Sequence, residues 1–262
     1  LITIACPCIG RWYAVDAFLS GFEGLEYDKK NINIIFIDNS GDKKFQSHLR
    51  KWIKQNKKNW ANVSLVIHES EIIEITDESE ASEEPHLMSR WATLVARTAD
   101  EARQEILKTD CEYGWIIEDD IVIPYDACNK HLRMFDMADN VGATVGYAIQ
   151  RHNSMIIDRK ALAWDFNRKR VFPEGDTDEE TIELSISTPP PDKWIEVIDS
   201  STFSSVMIKR EVLEKIKFVG SYKGISMHDC IFGLQLQDNG YVQMMDWSLK
   251  VKHLHTTGDV LL

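Results

Sequence analysis

No stretch of this chain approaches the roughly 20 consecutive apolar residues that a membrane-spanning helix needs, and no signal peptide is visible at its start. Cysteine is scarce and unpatterned. The five cysteines, Cys6, Cys8, Cys111, Cys128 and Cys230, form an odd set without a framework spacing. That argues for reduced thiols and an intracellular, cytoplasmic setting. A lone Cys-x-Cys at Cys6 and Cys8 is a weak metal signal, and both are expected to be small buried side chains. No basic stripe interleaved with aromatics runs through the sequence, so nucleic acid is not an expected partner. No internal repeat is evident. The first residue is Leu1 rather than methionine, which fits a processed or excised part of something longer and leaves room for flanking domains.

What is present is apolar content sufficient for a full core: 262 residues, 44% of them hydrophobic, a length expected to make a single α/β domain. The formal charge of -12 is unevenly distributed. Eight acids and no Lys or Arg lie between Glu69 and Glu84, and six more acids without a base lie between Glu174 and Glu183. Without those 14, 28 acids face 30 bases. The remaining scaffold is near neutrality, so an anionic nucleotide is not electrostatically excluded.

Along the chain, apolar runs of strand length alternate with patterns of helical period, which predicts a mainly parallel sheet flanked by helices. Strands are expected over 1–9, 33–37, 63–68, 142–149, 154–163, 195–198, 203–208 and 247–251. Helices are expected from Trp12 through Leu19, and over 45–55, 88–108, 129–138, 210–216 and 229–238, the last closed by Asn239-Gly240. The acidic run 69–84 and the stretch 172–193, with Pro189-Pro190-Pro191, read as long loops, the second of them lid-like.

One run stands apart. Trp115-Ile116-Ile117 reads as a buried strand, and it ends in Glu118-Asp119-Asp120. In open α/β sheets ligands bind beyond the carboxyl ends of the strands. Carboxylates there can hold a divalent cation and so neutralise a phosphate-bearing substrate. An acidic turn that merely caps the next segment is the other reading of the same residues.

In this order the signals resemble the GT-A fold glycosyltransferases, most closely their inverting, family 2-like members, over most of the chain. The residues that carry the resemblance are the strand and loop with Pro7, Asp38-Asn39-Ser40 after the second strand, Glu118-Asp119-Asp120, the Ser-rich run Asp199–Ser205, Met227-His228-Asp229, and His253 or His255. The resemblance implies a nucleotide-sugar-binding half over 1–124 and an acceptor-binding half over 125–262. It implies Pro7 and Asp38 near the nucleoside, and Arg103, with Arg97 as its rival, near the diphosphate. Glu118-Asp119-Asp120 looks like the family's Asp-any-Asp motif with Glu in first place. Glu118 and Asp119 would then lie by the ribose or the metal shell. Asp120 would bind the metal, with His253 or His255 completing the shell, and small residues at 200–205 would leave room for sugar and acceptor.

Carboxylates, imidazole and phosphate oxygens together suit Mn²⁺ or Mg²⁺, and Mn²⁺ tolerates nitrogen better. Asp229 would take the proton of an acceptor hydroxyl, and attack opposite the leaving group would invert configuration. His228 stands where the family usually has Glu, which leaves a retaining reaction open. A sugar nucleotidyltransferase is disfavoured, because Cys6-Pro7-Cys8-Ile9-Gly10-Arg11 has one glycine and one arginine where a triphosphate cradle is expected. A catalytically silent carbohydrate-binding domain remains the non-enzyme alternative. Trp12, Trp164, Trp194 and Trp247 are candidate sugar-stacking platforms, although tryptophan is more often core.

Overall fold

A computed structural model of the chain describes residues 1–68, 85–148, 163–169, 181–186, 195–254 and 260–261. Its centre is an eight-stranded sheet. Four strands come from the first half of the chain: β1 (Ile2–Cys8), β2 (Ile32–Asp38), β3 (Asn62–Ile67) and β4 (Tyr113–Ile117). A short β5 (Ile121–Val122) follows β4 outside this sheet. From the second half come β6 (Val141–Tyr147), the small strands β7 (Ala163–Lys169) and β8 (Thr181–Ile186), β9 (Ile195–Ile198), β10 (Ser200–Ser201), β11 (Ser205–Lys209), β12 (Val242–Lys250), β13 (Lys252–Leu254) and β14 (Val260–Leu261). The sheet order is β3-β2-β1-β4-β11-β6-β12-β9. It is parallel except where β11 runs between β4 and β6 and where β9 closes the edge.

The strands read as continuous apolar runs because both faces of the sheet are covered. Along β1 and β2, Ile2, Ile4, Cys6, Ile32, Ile34 and Phe36 pack into one core, whereas Ala5, Ile35 and Ile37 pack into the other. The first core is closed by α1 (Val15–Glu23), α2 (Lys43–Asn56) and α4 (Ala127–Phe135), through Phe18, Phe22, Phe45, Leu49 and Met134. The second is closed by α3 (Pro85–Leu107), α5 (Arg210–Lys215) and α6 (His228–Asp238), through Ala102, Ile106, Val212, Phe232 and Leu236. All five cysteines are free and buried. No helix among the described residues is long and apolar enough to cross a membrane.

Most expected elements are found within a few residues. Within the stretch expected to be a loop, 172–193, Thr181–Ile186 instead forms β8, paired antiparallel with β7. Its Thr-Ile-Glu-Leu-Ser-Ile alternation is a period-2 pattern that the flanking acids and prolines obscure. The acidic run 69–84, the strand expected over 154–163 apart from Ala163, Trp194, the side chain of Trp164, and His255 lie outside the described residues.

Candidate functional site

Strand β4 delivers Glu118, Asp119 and Asp120 at the carboxyl edge of the sheet, where the chain turns tightly, with Ile121 N–H donating to the Glu118 carbonyl at 3.2 Å. The turn leads into β5, which pairs antiparallel with β13 so that Ile121 faces His253. The Leu254 N–H also donates to the Asp120 carbonyl at 2.9 Å. That pairing brings His253 Nε2 to 3.3 Å from Asp120 Oδ2. Ligand atoms of Glu118, Asp120 and His253 all lie within 4.8 Å of one another. Two ligand atoms on opposite sides of one ion at about 2.1 Å each stand at most about 4.2 Å apart, so two carboxylates and an imidazole within 4.8 Å would draw in by a few tenths of an ångström to share a single Mn²⁺-type ion.

The loop between β1 and α1 supports these acids from below. Pro7 is on β1 beyond Ala5, the last residue of β1 that β4 pairs, so its missing N–H leaves no gap in that ladder. Gly10 then turns the chain with φ 87°, where a Cβ would stand 2.9 Å from Ser40 Cβ. Asp119 faces this loop: its Oδ2 accepts from Ile9 N–H (3.0 Å) and Arg11 N–H (3.3 Å), and its Oδ1 from Arg11 Nη1 (2.7 Å). Arg11 Nη1 also lies 3.2 Å from Asp120 Oδ1. The Tyr13 hydroxyl donates to Asp120 Oδ2 at 3.2 Å. Burial pushes the Asp119 carboxyl up, with Arg11 opposing it and Asp120 adding to it. Burial works against the charge on Arg11, yet Asp119, Asp120 and Glu118 outweigh it and raise its pKa. Arg11 and Tyr13 carry no motif in the sequence; their one signal is a position in the loop after the first strand.

On the other side, the Glu118 N–H donates to the Ser204 carbonyl at 3.4 Å, which joins the acid turn to the loop 202–204. Phe203 in that loop stacks on His228 with ring centroids 5.3 Å apart. Burial lowers the His228 pKa to about 4, with the Glu118 charge acting the other way, so this imidazole is neutral at pH 7. Asp229 follows on the first turn of α6. Its backbone carbonyl accepts from Ser200 Oγ at 2.7 Å, and its Oδ1 accepts from Cys230 N–H at 2.8 Å. Burial pushes its carboxyl up to about 6, against the lowering pull of the Cys230 N–H. Serines also tie this region together: Ser205 Oγ accepts from Trp115 Nε1 at 2.9 Å.

Asp38 ends β2 fully buried, with Oδ1 accepting from Ser40 Oγ (2.6 Å) and Oδ2 from Gln46 Nε2 (2.8 Å). The neighbouring Asn39 Nδ2 donates to Glu101 Oε2 at 3.0 Å, and Arg97 Nε, one turn earlier on α3, donates to Glu101 Oε1 at 3.1 Å. Arg97 is thereby linked through Glu101 to Asn39, the residue after β2. The structure does not bring Arg103 to the acid cluster. Its Nε donates to Asp100 Oδ1 (2.6 Å) and its Nη1 to the Leu213 carbonyl (2.9 Å) on α5, near the opposite edge of the sheet. Trp12 is half exposed, with its Nε1 donating to Asp42, while Trp247 is buried, with its Nε1 donating to Glu196.

Neither a protein-family model nor a curated protein matches the chain by sequence. Solved structures do match. A mannosyltransferase from Pyrobaculum calidifontis, in complex with GDP-Man and Mn²⁺, superposes with a TM-score of 0.57 at 12% identity over 95% of this chain and 55% of its own. GalNAc-T7 with UDP, GalNAc and Mn²⁺ gives 0.60 at 11% identity over 97% and 44%. The S. aureus TarS 1-349 structure gives 0.52 at 10% identity over 94% and 60%. The chain thus has the GT-A glycosyltransferase fold, and it spans somewhat over half the length of the mannosyltransferase and of TarS 1-349 and less than half that of GalNAc-T7.

Proposed function

We propose that this chain is a metal-assisted glycosyltransferase that moves a sugar from a nucleoside-diphosphate donor to an acceptor hydroxyl. The observation that carries the reading is the meeting of Glu118, Asp120 and His253 at the carboxyl edge of a GT-A sheet. It is supported by two fold neighbours whose structures hold Mn²⁺ together with GDP-Man, or with UDP and GalNAc.

Glu118 and Asp120 would offer carboxylate oxygens, and His253 would offer Nε2, to a Mn²⁺ or Mg²⁺ ion. Bound there, the ion supplies positive charge that offsets the departing diphosphate. Tyr13 holds Asp120 from outside the ligand set, the kind of outer contact that orients a ligand. The donor would run from this cluster across the ends of β1 and β2, past Pro7, Asp38 and Asn39, with Arg97 above it. Arg97 is favoured over Arg103 for the diphosphate region because the guanidinium of Arg103 is bonded to Asp100 and Leu213.

Asp229 is the proposed general base. A carboxylate at about 6 is ionised at neutral pH yet more basic than an exposed one, which suits proton abstraction near pH 7. The Cys230 N–H fixes its orientation, and the neutral, stacked His228 adds no competing charge beside it. Attack from the Asp229 side, opposite the leaving group, would invert the anomeric configuration.

The test is calorimetric titration of nucleoside diphosphates and nucleotide sugars, with and without Mn²⁺, on the wild type and Asp120→Ala. Mn²⁺-dependent binding of one nucleotide sugar that the variant loses supports the transferase. A folded wild type that binds no donor leaves a silent binding domain as the better reading.

A further inference from the structure

We infer that Arg11 is a built-in counter-cation of the metal site, one that holds down its affinity for a divalent ion by partnering Asp119 and leaning on Asp120. The inference rests on the metal-site reading above.

Three carboxylates converge in one turn, two of them, Asp119 and Asp120, almost wholly removed from water at 1% and 0% exposure. Buried charge of one sign must be balanced. Asp119 is absent from the set whose ligand atoms converge. Both of its oxygens are instead engaged by the β1–α1 loop, through two backbone N–H groups and the guanidinium. The acid triplet is therefore divided in its duties: Asp119 fastens Arg11 and its loop, whereas Glu118 and Asp120 face His253. Three carboxylates and one guanidinium leave two negative charges, which one divalent cation neutralises.

The same Nη1 that holds Asp119 lies 3.2 Å from Asp120 Oδ1, while the other oxygen of Asp120 is shared by Tyr13 and His253. A cation taking Asp120 as a ligand must settle beside a fixed positive charge in a poorly hydrated place, where such repulsion is weakly screened. Removing the guanidinium should tighten cation binding; removing Asp119 alone should loosen it, by taking away an attracting charge and releasing Arg11 onto Asp120.

The experiment is Mn²⁺ titration, by calorimetry or by electron paramagnetic resonance of the free ion, without nucleotide. It compares the wild type, Arg11→Met, Arg11→Lys, Asp119→Asn and the double variant R11M/D119N, each checked for folding by thermal melt. Arg11→Met should bind Mn²⁺ at least about tenfold more tightly than the wild type, Arg11→Lys should stay within about threefold of it, and Asp119→Asn should bind at least about tenfold more weakly. Arg11→Met alone leaves Asp119 buried without its partner and can fail to fold. The double variant removes both charges together, and it must bind more tightly than Asp119→Asn. If removing Arg11 leaves Mn²⁺ affinity unchanged or weaker in either background, the inference is overturned while the metal site stands. A folded wild type that binds no Mn²⁺ overturns the metal-site reading and this inference with it.

Discussion

His253 Nε2 stands 3.3 Å from Asp120 Oδ2 although 133 positions separate the two residues. The contact is made by backbone pairing: β13 lies antiparallel to β5, which begins immediately after the acid turn. If Asp120 and His253 share an ion, both are needed, but unequally, since a buried carboxylate carries charge and a neutral imidazole does not. Asp120→Ala should abolish measurable Mn²⁺ binding, and His253→Ala should weaken it at least about 10-fold, since losing a direct ligand should cost no less than losing an outer contact. Titration with Mn²⁺ alone reads both. Equal Mn²⁺ affinity in His253→Ala would remove the histidine from the ligand set.

The two arginines of α3 have different partners. Arg103 ties α3 to the Leu213 carbonyl and to Asp100, and Asp100 in turn accepts from the Phe218 N–H at 3.2 Å. Burial works to raise the Asp100 pKa, and the bonds from Arg103 and Gln104 overcome it and hold the carboxyl low. Arg103→Met should therefore cost about 1–3 kcal/mol of stability and leave the donor Kd of the folded protein unchanged. Arg97→Ala should do the reverse, raising the donor Kd about tenfold with little change in Tm. Denaturant melts and donor titrations on both variants give the answer, and a donor Kd raised by Arg103→Met would return that residue to the diphosphate.

Gly233 lets α6 lie against β10. A Cβ there would stand 2.1 Å from the Asp199 carbonyl oxygen and 2.9 Å from Ser200 Cβ, so neither backbone can accommodate Ala without moving. The gain in helix propensity from Gly to Ala, up to about 1 kcal/mol, is smaller than the cost of overpacking, about 1–3 kcal/mol or more. Gly233→Ala should lower Tm by several degrees, at roughly 2–4 °C per kcal/mol for a chain of this size. Because Ser200 also bonds the Asp229 carbonyl, transfer activity should fall further than the unfolded fraction explains. A melt unchanged from wild type would show that α6 and β10 are less closely joined.

The alternation of strand and helix was legible because the strands of a doubly covered sheet are apolar on both faces, and β1, β2 and β6 are buried along nearly their whole length. The acid turn was legible because charge at the end of such a run has few structural uses. The duties of Arg11 and Tyr13 were not, because they depend on how one loop folds over Asp119 and Asp120, which leaves no periodic trace. Arg97 and Arg103 are nearly two helical turns apart, and only the folded packing of α3 shows that Arg97 bonds Glu101, which holds Asn39, while Arg103 reaches the Leu213 carbonyl. Strand β8 was hidden by its neighbours: acids before it and prolines after it have the composition of a loop, whereas its pairing with β7 is a tertiary fact.

If Asp229 is the general base, one proton connects stability and catalysis. Its pKa is about 6 in the folded chain and about 3.9 in an unfolded one. Between those values the native state holds a proton that the unfolded state releases, so folding is favoured below about pH 4 and that advantage is lost as pH rises through about 6. At pH 7 the buried carboxylate therefore destabilises the protein, by about 1–3 kcal/mol given 1.36 kcal/mol per unit. Asp229→Asn keeps an oxygen for the Cys230 N–H and removes the charge. It should raise stability at pH 7 by that amount and flatten the dependence of stability on pH between 4 and 6. The same change should cost transfer at least about 100-fold if Asp229 is the base, whereas the wild-type kcat/KM should climb with pH and level off above about 6. A more stable variant with intact transfer would mean that the base lies elsewhere. A less stable variant would mean that the carboxylate is held by contacts stronger than its burial.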